Sequence, residues 1–269
     1  MNDPILHSLT ITIDTVSRTT VDHRWRQYHP GPQEATRLYI IEAGAGQVWH
    51  HGQRVELRPG YMYIIPPGSD LRYHCETSMT VSFLHLQLRV LQGLDLFAYL
   101  PVHYERAVAD LPVEVARVQR LIELQDAVGA AADMLRDGLV LQWLAAFARA
   151  DAGPELQRRR REVLRLQPVL AYVDTHLGEP LRLADLAGRV HLEPTYFATL
   201  FARAVGTPPM RYVQQRRIDR ARALLLAGET IADIAAALGF VDAFHFSRSF
   251  KKLVGLPPSA YRRHVRPDP

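Results

Sequence analysis

The sequence contains little that would indicate a secreted or membrane-bound protein. Cys75 is the one cysteine among 269 residues, which excludes an internal disulfide and fits a reducing cytoplasm. No apolar run approaches the roughly 18 residues that a membrane helix needs. The segment Met1–Pro4 lacks the basic and apolar regions of a signal peptide. We therefore expect a cytoplasmic protein that does not associate with membranes.

Motifs of enzyme active sites are also scarce. The sequence has no glycine-rich loop that would cradle a phosphate, and its acidic residues form no convincing catalytic pair. His50 and His51 are adjacent, so on a strand they would face opposite sides and could not chelate one ion together. His74 and His85 are scattered elsewhere. We expect no metal, no cofactor and no catalysis.

Basic residues are unevenly distributed along the chain. Residues 155–269 contain 19 Lys and Arg against 11 Asp and Glu, a net charge of +8. Residues 1–154 contain 13 against 17, a net charge of −4. The only lysines are Lys251 and Lys252. A basic half attached to an acidic half is the charge distribution expected when one domain binds nucleic acid.

The basic half contains one sequence pattern twice. Leu183–Ala187 (LADLA) reappears as Ile231–Ala235 (IADIA), 48 residues later. Phe201–Tyr212 reappears as Phe250–Tyr261, with an offset of 49 residues and the same Val-Gly-x-Pro-Pro core. An array of helical repeats would need three or more copies to bury its faces. Two copies are better explained by DNA, which presents the same groove at every helical turn.

Each copy predicts a helix, a tight turn and a second helix, over about 183–204 and 231–253. In the second copy Thr230 and Asp233 are typical of a helix N-cap, Gly239 ends the first helix, and Asp242 caps the next. In the first copy Pro194 suits the first position of a helix. Residues at helical spacing predict the buried faces, namely Phe197, Leu200 and Phe201, then Phe246, Phe250 and Leu253. This is the helix-turn-helix pattern.

The residues of this region resemble the C-terminal signature of AraC/XylS-type transcription regulators. The similarity extends over roughly residues 166–266, and its fixed positions include Gly206, Tyr212, Arg217, Ala221, Leu224, Leu225, Gly239, Phe240, Phe246, Ser247, Arg248, Phe250, Lys251, Lys252, Gly255, Pro258, Tyr261 and Arg262. The resemblance implies two helix-turn-helix units joined by a long helix, about Met210 to Leu226. Their recognition helices would enter successive major-groove segments about 34 Å apart. The implied partners are promoter or operator DNA and, for an activator, RNA polymerase.

We expect bases to be contacted by the exposed sides of the two recognition helices. Arg248 is the strongest candidate because a guanidinium can bind both acceptors of a guanine edge. The family often has Arg where this chain has Thr199, which leaves less base readout to the first unit. The candidates for base contacts are Arg248, His245, Ser247, Ala243, Thr195, Tyr196 and Thr199, and those for phosphate contacts are Arg203, Arg216, Lys251, Lys252 and Arg262. Arg217 matches a position where the family keeps a structural Arg, so a structural role in packing or ion pairing and a phosphate contact are both open.

The N-terminal half predicts short β-strands. Apolar and polar residues alternate over 38–42, 47–50, 54–57, 61–65 and 80–88, and turns rich in Gly and Pro separate these runs. Strands so short and evenly spaced predict an antiparallel barrel or sandwich. The Gly44-x-Gly46, Pro59-Gly60 and Pro66-Pro67-Gly68 turns resemble the cupin-type sensor domain of the same family. The expected fold class is α+β, with an antiparallel barrel and following helices, then an all-α C-terminal domain.

The mouth of such a barrel is the expected place for a small-molecule effector. Positions that contact sugar in an arabinose-responsive family member match Ala43, Tyr73, Val81 and Phe83. Arg37 and Tyr39 are expected to share a strand face with Ala43 and to supply polar contacts. We predict an effector site at Arg37, Tyr39, Tyr73 and Phe83, with a sugar as one candidate ligand. The alternative is that these aromatic rings simply fill the barrel.

Two helices are predicted between the halves, over 113–128 and 131–150. The resemblance implies that they form the seam of a homodimer; packing on the barrel of their own chain is the alternative. Asp151–Pro154 is the expected linker. The predicted domains are therefore 1–110, 111–153 and 160–266. The hypotheses are a ligand-responsive transcription regulator, a cupin-type sugar-modifying enzyme with a DNA-binding appendage, and a regulator whose barrel serves only dimerisation.

Overall fold

The computed structural model describes residues 3–25, 27–29, 35–50, 52–68, 71–149 and 153–265. His51 and the linker residues Asp151 and Ala152 lie outside these ranges. The chain divides into two compact units, one of Met1–Val90 with Asp95–Gly153 and the other of Leu91–Leu94 with Pro154–Pro269.

The first unit consists of two antiparallel sheets followed by helices. Its strands are β1 (Thr10–Asp22), β2 (Gln27–His29), β3 (Thr36–Gly44), β4 (Gly46–His50), β5 (Gln53–Leu57), β6 (Tyr61–Ile65), β7 (Leu71–His74), β8 (Ser78–Val90), β9 (Leu94–Asp95) and β10 (Glu105–Ala107). One sheet has the order β1-β8-β3-β6-β10 and the other the order β2-β7-β4-β5. The five predicted strands are confirmed. The long β1 and the short β2, β7, β9 and β10 were not predicted.

Alternating residues of the two sheets form the core between them. Tyr39, Tyr63 and Val81 of the first sheet pack in one cluster with Val48 and Tyr73 of the second. Successive side chains of a strand point to opposite faces, so the intervening residues lie on the outer face. There Leu38, Ile40, Leu84 and Leu86 are fully buried. Burial on both faces explains why β3 is apolar along most of its length.

A β-bulge in β3 changes which residues face the interior. The register of β3 against β8 shifts between Ile41 and Ala43, so Ile41 lies opposite Val81 but Ala43 lies opposite Thr80. One extra residue reverses the facing of every residue that follows it. Ala43 is consequently exposed on the outer face. The expectation that Arg37 and Tyr39 share a strand face with Ala43 was wrong for this reason.

The predicted helices of the first unit are α1 (Leu111–Glu123) and α2 (Ala130–Phe147). Asp110 caps α1 by accepting from the Val113 N–H at 3.2 Å. α1 packs on β1, β3 and β8, while α2 packs on α1 and β10. The indole N–H of Trp143 donates to Glu114 at 2.7 Å and links the two helices. Packing on their own barrel, one of the two alternatives, thus accounts for the buried faces of both helices.

Some apolar residues of this helical region are not used in that packing. Met134 is 74% exposed, Leu135 51% and Leu141 46%. Leu144 of the same helix is buried. The apolar residues of α2 therefore divide into a buried stripe and an exposed one.

The elements of the second unit from Pro154 onward are all helices. Its helices are α3 (Pro154–Thr175), α4 (Leu183–Gly188), α5 (Pro194–Val205), α6 (Pro209–Leu226), α7 (Ile231–Ala237), α8 (Ala243–Val254) and α9 (Pro258–Val265). The pairs α4–α5 and α7–α8 are the two predicted helix-turn-helix units, and α6 is the predicted connecting helix. The expected buried faces are confirmed, since Phe197, Leu200, Phe201, Phe246 and Phe250 are at most 3% exposed. Leu253 is only half-buried.

The turn of the second helix-turn-helix unit depends on glycine. Gly239 has a φ of +66°, and a Cβ at this position would lie 2.7 Å from the carbonyl oxygen of Gly178. Arg217 of α6 secures the same region, donating to the carbonyl oxygens of Leu177 at 2.8 Å, Glu179 at 2.8 Å and Gly239 at 3.2 Å. Burial lowers the pKa of the Arg217 guanidinium. Its role in the unit is structural.

Candidate DNA-binding surface and effector site

The exposed face of α8 is defined by residues at three- and four-residue spacing. Phe244, Arg248 and Lys251 lie along this face, with Lys252 beside them, and all four are exposed. Phe246 and Phe250 lie on the opposite, buried face. Asp242 fixes the start of the helix by accepting from the His245 N–H at 2.6 Å. One aromatic and three cationic side chains are therefore presented together on a rigid helix.

The other predicted base-contacting residues of α8 lie at the margins of this face. Ala243, His245 and Ser247 are half-buried. The imidazole of His245 packs edge-on against Phe240, with 5.6 Å between ring centroids. The Ser247 hydroxyl donates to the carbonyl oxygen of Ala243 at 2.8 Å. Of the four residues predicted to contact bases from this helix, Arg248 is the exposed one.

The corresponding face of α5 is polar, and its cation Arg203 is paired with Glu162. Thr195, Tyr196 and Thr199 are exposed, Tyr196 to 52%. Glu193 caps the helix by accepting from the N–H groups of Thr195 at 2.9 Å and Tyr196 at 3.0 Å. These two hydrogen bonds lower the pKa of the Glu193 carboxyl. The Thr199 hydroxyl donates to the carbonyl oxygen of Thr195 at 3.1 Å. The three predicted residues thus lie together at the start of α5.

The predicted phosphate-contacting residues divide into two groups. Arg203 donates to both carboxylate oxygens of Glu162, at 3.0 and 2.6 Å, and this contact raises its pKa. Arg216 is only 19% exposed and lies 2.5 Å from Asp174. Arg262 donates to the carbonyl oxygen of Glu229. Lys251 and Lys252, in contrast, are exposed in the last turn of α8.

In the first unit, the four predicted effector residues converge on the interior between the sheets. Arg37 is 8% exposed and lies in register between His85 of β8 and Ile65 of β6. Two residues further along β3, Tyr39 lies in register with Phe83 of β8. Tyr73 enters from the other sheet. Burial raises the pKa of the Tyr39 and Tyr73 hydroxyls, although the nearby Arg37 charge opposes this shift. Both phenols are therefore neutral at neutral pH.

Trp25 belongs to the same aromatic cluster and was not predicted. Its ring stacks on Tyr73 with 4.8 Å between centroids and meets Tyr39 edge-on at 6.4 Å. Trp25 lies in the segment after β1, where no strand alternation identifies an inward side chain. Phe244 was also missed, because an apolar residue on an amphipathic helix is normally assigned to the core. Its position, opposite Phe246 and Phe250, could have been read from helical spacing alone.

Two recesses lie at the side of the barrel, between β5 and β10. The larger, of about 430 Å³, is lined by Arg54, Val55, Glu56, Arg58, Tyr104 and Glu105. The smaller, of about 140 Å³, is lined by His50, Gln53, Val55, Ile64, Ile65 and Tyr104. Neither recess is lined by the predicted effector residues, although Ile65 is the ladder neighbour of Arg37. Within the described ranges, the structure has no cluster of three His, Cys, Asp or Glu side chains that could hold a metal.

Comparison with known proteins agrees with this architecture. Residues 15–144 match the family described as AraC-like ligand binding domain, and residues 186–264 match the family described as Helix-turn-helix domain. The chain belongs to the AraC-type transcription regulators. The expected AraC/XylS resemblance and the α+β fold class are confirmed. The chain is thus a DNA-binding transcription regulator with an N-terminal ligand-binding domain.

Relatives of this AraC-type regulator differ in how much of the chain they cover. It is 23% identical to the uncharacterized HTH-type transcriptional regulator YidL of Escherichia coli, over 100% of this chain and 91% of YidL. It is 20% identical to the Msm operon regulatory protein of Streptococcus mutans, over 98% and 97%. The regulatory protein PocR of Salmonella typhimurium is 36% identical, but over only 38% of this chain and 34% of PocR.

A solved structure also resembles the regulator along most of its length. The unsaturated fatty acid bound ToxT of Vibrio cholerae has a TM-score of 0.51 at 13% sequence identity, covering 94% of this chain and 95% of ToxT. At this identity the likeness shows the fold alone. No helix of the described residues is long and apolar enough to cross a membrane.

Proposed function

We propose that the regulator distinguishes its operator mainly through the exposed face of α8. The observation that carries this proposal is the joint exposure of Arg248, Lys251 and Lys252 on one side of a capped helix. Arg248 would bind the N7 and O6 acceptors of a guanine. The two lysines would contact phosphates, which fix the register of the helix without specifying sequence. His245, Ser247 and Ala243 border this face and would supply secondary base contacts.

The first helix-turn-helix unit would mainly position the protein on the duplex. Thr195, Tyr196 and Thr199 can donate to phosphates or touch thymine methyl groups. Arg203, Arg216 and Arg262 remain phosphate candidates, each with an intramolecular partner that DNA would have to share or replace. The cost of replacing those partners should make these three arginines weaker contributors to affinity than the exposed Lys251 and Lys252.

This assignment is tested by the binding of the full chain to DNA upstream of its own and neighbouring genes. A salt series that compares this DNA with random DNA separates phosphate contacts from base contacts, because phosphate contacts weaken steeply with salt and base contacts do not. A preference for the native DNA that persists at about 0.15 M salt supports a specific regulator. Equal and steeply salt-dependent binding to both DNAs contradicts specific recognition by the unliganded chain.

We also propose that a small-molecule effector binds among Arg37, Tyr39, Tyr73 and Phe83. The interior combines one buried cation with aromatic rings, including Trp25. Such a lining suits an apolar or aromatic body that carries an anionic or hydroxyl group, better than a fully hydroxylated sugar. The fatty acid in the ToxT structure is a ligand of this kind. Because the rings also pack on one another, a barrel that serves only dimerisation is the competing account.

Ligand binding would be measured directly in the full chain. Libraries of sugars and of small aromatic and aliphatic carboxylates would be screened by thermal shift and by quenching of tryptophan fluorescence. A binder should lose about tenfold or more in affinity in Arg37→Gln if a charge-assisted hydrogen bond is removed. Trp49→Phe, which changes a tryptophan of β4 outside this cluster, is the control. No binder in either library would favour the dimerisation account.

The exposed stripe of α2 is proposed as the homodimer seam. Met134, Leu135 and Leu141 are unusually exposed for apolar residues, and grouped exposed apolar residues mark interaction sites. Leu135→Glu should convert a dimer to a monomer in light scattering, whereas Asp137→Glu on the same helix should not. A monomeric wild-type chain at micromolar concentration would contradict this seam.

The remaining parts of the proposal are a cytoplasmic location, no catalysis, and contact with RNA polymerase if the regulator activates. The relatives are named as regulators. The competing enzyme hypothesis requires a metal in the barrel. Stoichiometric metal in the purified protein, measured by elemental analysis, would favour that enzyme hypothesis.

A further inference from the structure

Phe244 is an exposed aromatic residue within the surface proposed to meet DNA. Its side chain is 74% exposed, whereas Phe246 and Phe250 of the same helix are fully buried. An exposed Phe loses the favourable free energy that burial of its apolar surface would provide. Packing within the second helix-turn-helix unit therefore does not explain why residue 244 is a phenylalanine.

We infer that Phe244 contacts the 5-methyl group of a thymine in the major groove, beside the guanine that Arg248 binds. This inference rests on the proposed reading of DNA by α8. Duplex DNA is the favoured occupant because Arg248, Lys251 and Lys252 follow Phe244 along the same exposed face and complement the phosphate charge. The thymine methyl is the apolar group that a base pair presents in the major groove, and Phe is among the side chains that contact it.

The spacing of the two side chains restricts where the thymine lies. The Arg248 guanidinium carbon is 5.9 Å from the centroid of the Phe244 ring. Stacked base pairs are about 3.4 Å apart, so this separation corresponds to one or two base steps. The operator half-site of the second unit should therefore contain a thymine one or two steps from the guanine that Arg248 contacts.

The test begins with the binding sequence that the full chain selects from a random duplex library. Each thymine within two steps of the selected guanine is then replaced by deoxyuridine, which removes the methyl group and keeps every hydrogen-bonding group. The wild type should lose about fourfold in affinity at one of these positions, as expected for one buried methyl group. Phe244→Ala should bind the thymine and uracil duplexes equally, and Phe244→Leu should keep part of the difference.

Matched variants separate this contact from general damage. Leu256→Ala removes another exposed apolar side chain, one outside α8, and should keep the fourfold difference. Because Phe244 is exposed, its variants should unfold at the wild-type temperature. Arg248→Ala should lose the guanine preference.

Several results would overturn the inference. If the wild type binds the thymine and uracil duplexes equally at every position and keeps the guanine preference, Phe244 does not contact a thymine methyl group, and the proposed function of α8 still stands. Unchanged DNA binding and uracil discrimination in Phe244→Ala, with loss of transcription activation, would assign Phe244 to a protein partner instead. No selected sequence at all contradicts both the inference and the proposed function.

Discussion

α5 and α8 occupy equivalent places in the two helix-turn-helix units, but they expose different side chains. Their buried faces are alike, with Phe197 and Phe201 in α5 matching Phe246 and Phe250 in α8. The exposed face of α5 carries two threonines and a tyrosine, and its Arg203 is paired with Glu162. The exposed face of α8 carries an aromatic ring and three cations. The duplicated pattern therefore fixes the packing of each unit, while the surface residues vary independently of it.

This difference assigns separate tasks to the two units. Base discrimination needs side chains that match a specific base edge, and α8 offers these in Arg248 and Phe244. Short hydroxyl side chains such as Thr195 and Thr199 contact phosphates readily but distinguish bases less. We therefore expect most of the sequence specificity to come from the second unit, and the first to contribute register and affinity.

The largest expected effect is loss of the second unit's fold in Gly239→Val. The substitution forces a β-branched residue to a φ of +66° and places its Cβ 2.7 Å from a backbone oxygen. Strain and overpacking each cost about 1–3 kcal/mol, so the combined loss is about 2–6 kcal/mol. Chemical denaturation followed by circular dichroism measures it.

Gly188→Val is the control. Gly188 ends α4 of the first helix-turn-helix unit, and nothing lies within 4 Å of a Cβ at that position. It should cost about 1 kcal/mol or less. Equal destabilisation by both variants would show that the cost at Gly239 does not come from its left-handed φ and the close approach of Gly178.

Arg217→Ala should be the next largest change. It removes three hydrogen bonds to the carbonyl oxygens of Leu177, Glu179 and Gly239. Removing a charged donor from partly buried carbonyls should cost about 3 kcal/mol in the free energy of unfolding. Arg220→Ala, at an exposed position of α6, should change it by less than about 0.5 kcal/mol. Unchanged stability of Arg217→Ala would contradict the structural role.

Replacement of Lys251 and Lys252 by Ala should weaken binding to all DNA sequences alike. If both contact phosphates, the slope of log affinity against log salt should decrease in magnitude by about 1.8. Arg203→Ala should decrease it by less than about 0.9, because Glu162 already neutralises that charge. Affinities measured by fluorescence anisotropy from 50 to 300 mM salt provide both slopes. A double lysine variant with the wild-type slope would place the lysines away from the DNA.

The smallest effect concerns the cap of α5 and depends on pH. Hydrogen bonds from Thr195 and Tyr196 lower the pKa of Glu193 in the folded state, so its stabilising contribution is present above the ordinary glutamate pKa. That contribution is lost as pH falls through the lowered pKa, where the carboxylate becomes protonated. Glu193→Gln should therefore unfold at a lower temperature than wild type at pH 7, and the difference should vanish at the lowest pH. A constant difference across the titration would exclude the carboxylate charge as its source.

The sequence predicted the helical half of the molecule closely because local signals specify it. Thr230, Gly239 and Asp242 each mark a helix end through their own hydrogen bonds or backbone angle, and all three were placed correctly. Helical spacing identified the buried phenylalanines for the same reason. Whether Arg217 has a structural role or contacts phosphate remained open, since its acceptors are carbonyl groups some 22 to 40 residues away.

The barrel was predicted less completely because its contacts are long-range. The bulge between Ile41 and Ala43 reverses the side of the sheet to which the following residues of β3 point, and no local residue pattern predicted it. The convergence of Arg37, Tyr39, Tyr73 and Phe83 was anticipated from a family resemblance, whereas Trp25 joins them only through the folded chain. The partners of charged residues could not be predicted from the sequence either. Arg203 and Arg216 were predicted to contact phosphate, and in the fold they pair with Glu162 and Asp174.

The most direct test of the division between the units is a comparison of Arg248→Ala with Thr199→Ala in the full chain. Affinities for the selected operator and for random duplex are measured at about 0.15 M salt, and their ratio is the specificity. We predict that Arg248→Ala lowers this ratio about 10- to 100-fold, as expected for one bidentate guanine contact. Thr199→Ala should lower it less than threefold. An equal loss in both variants, or a larger loss in Thr199→Ala, would contradict the account that the second unit reads the sequence.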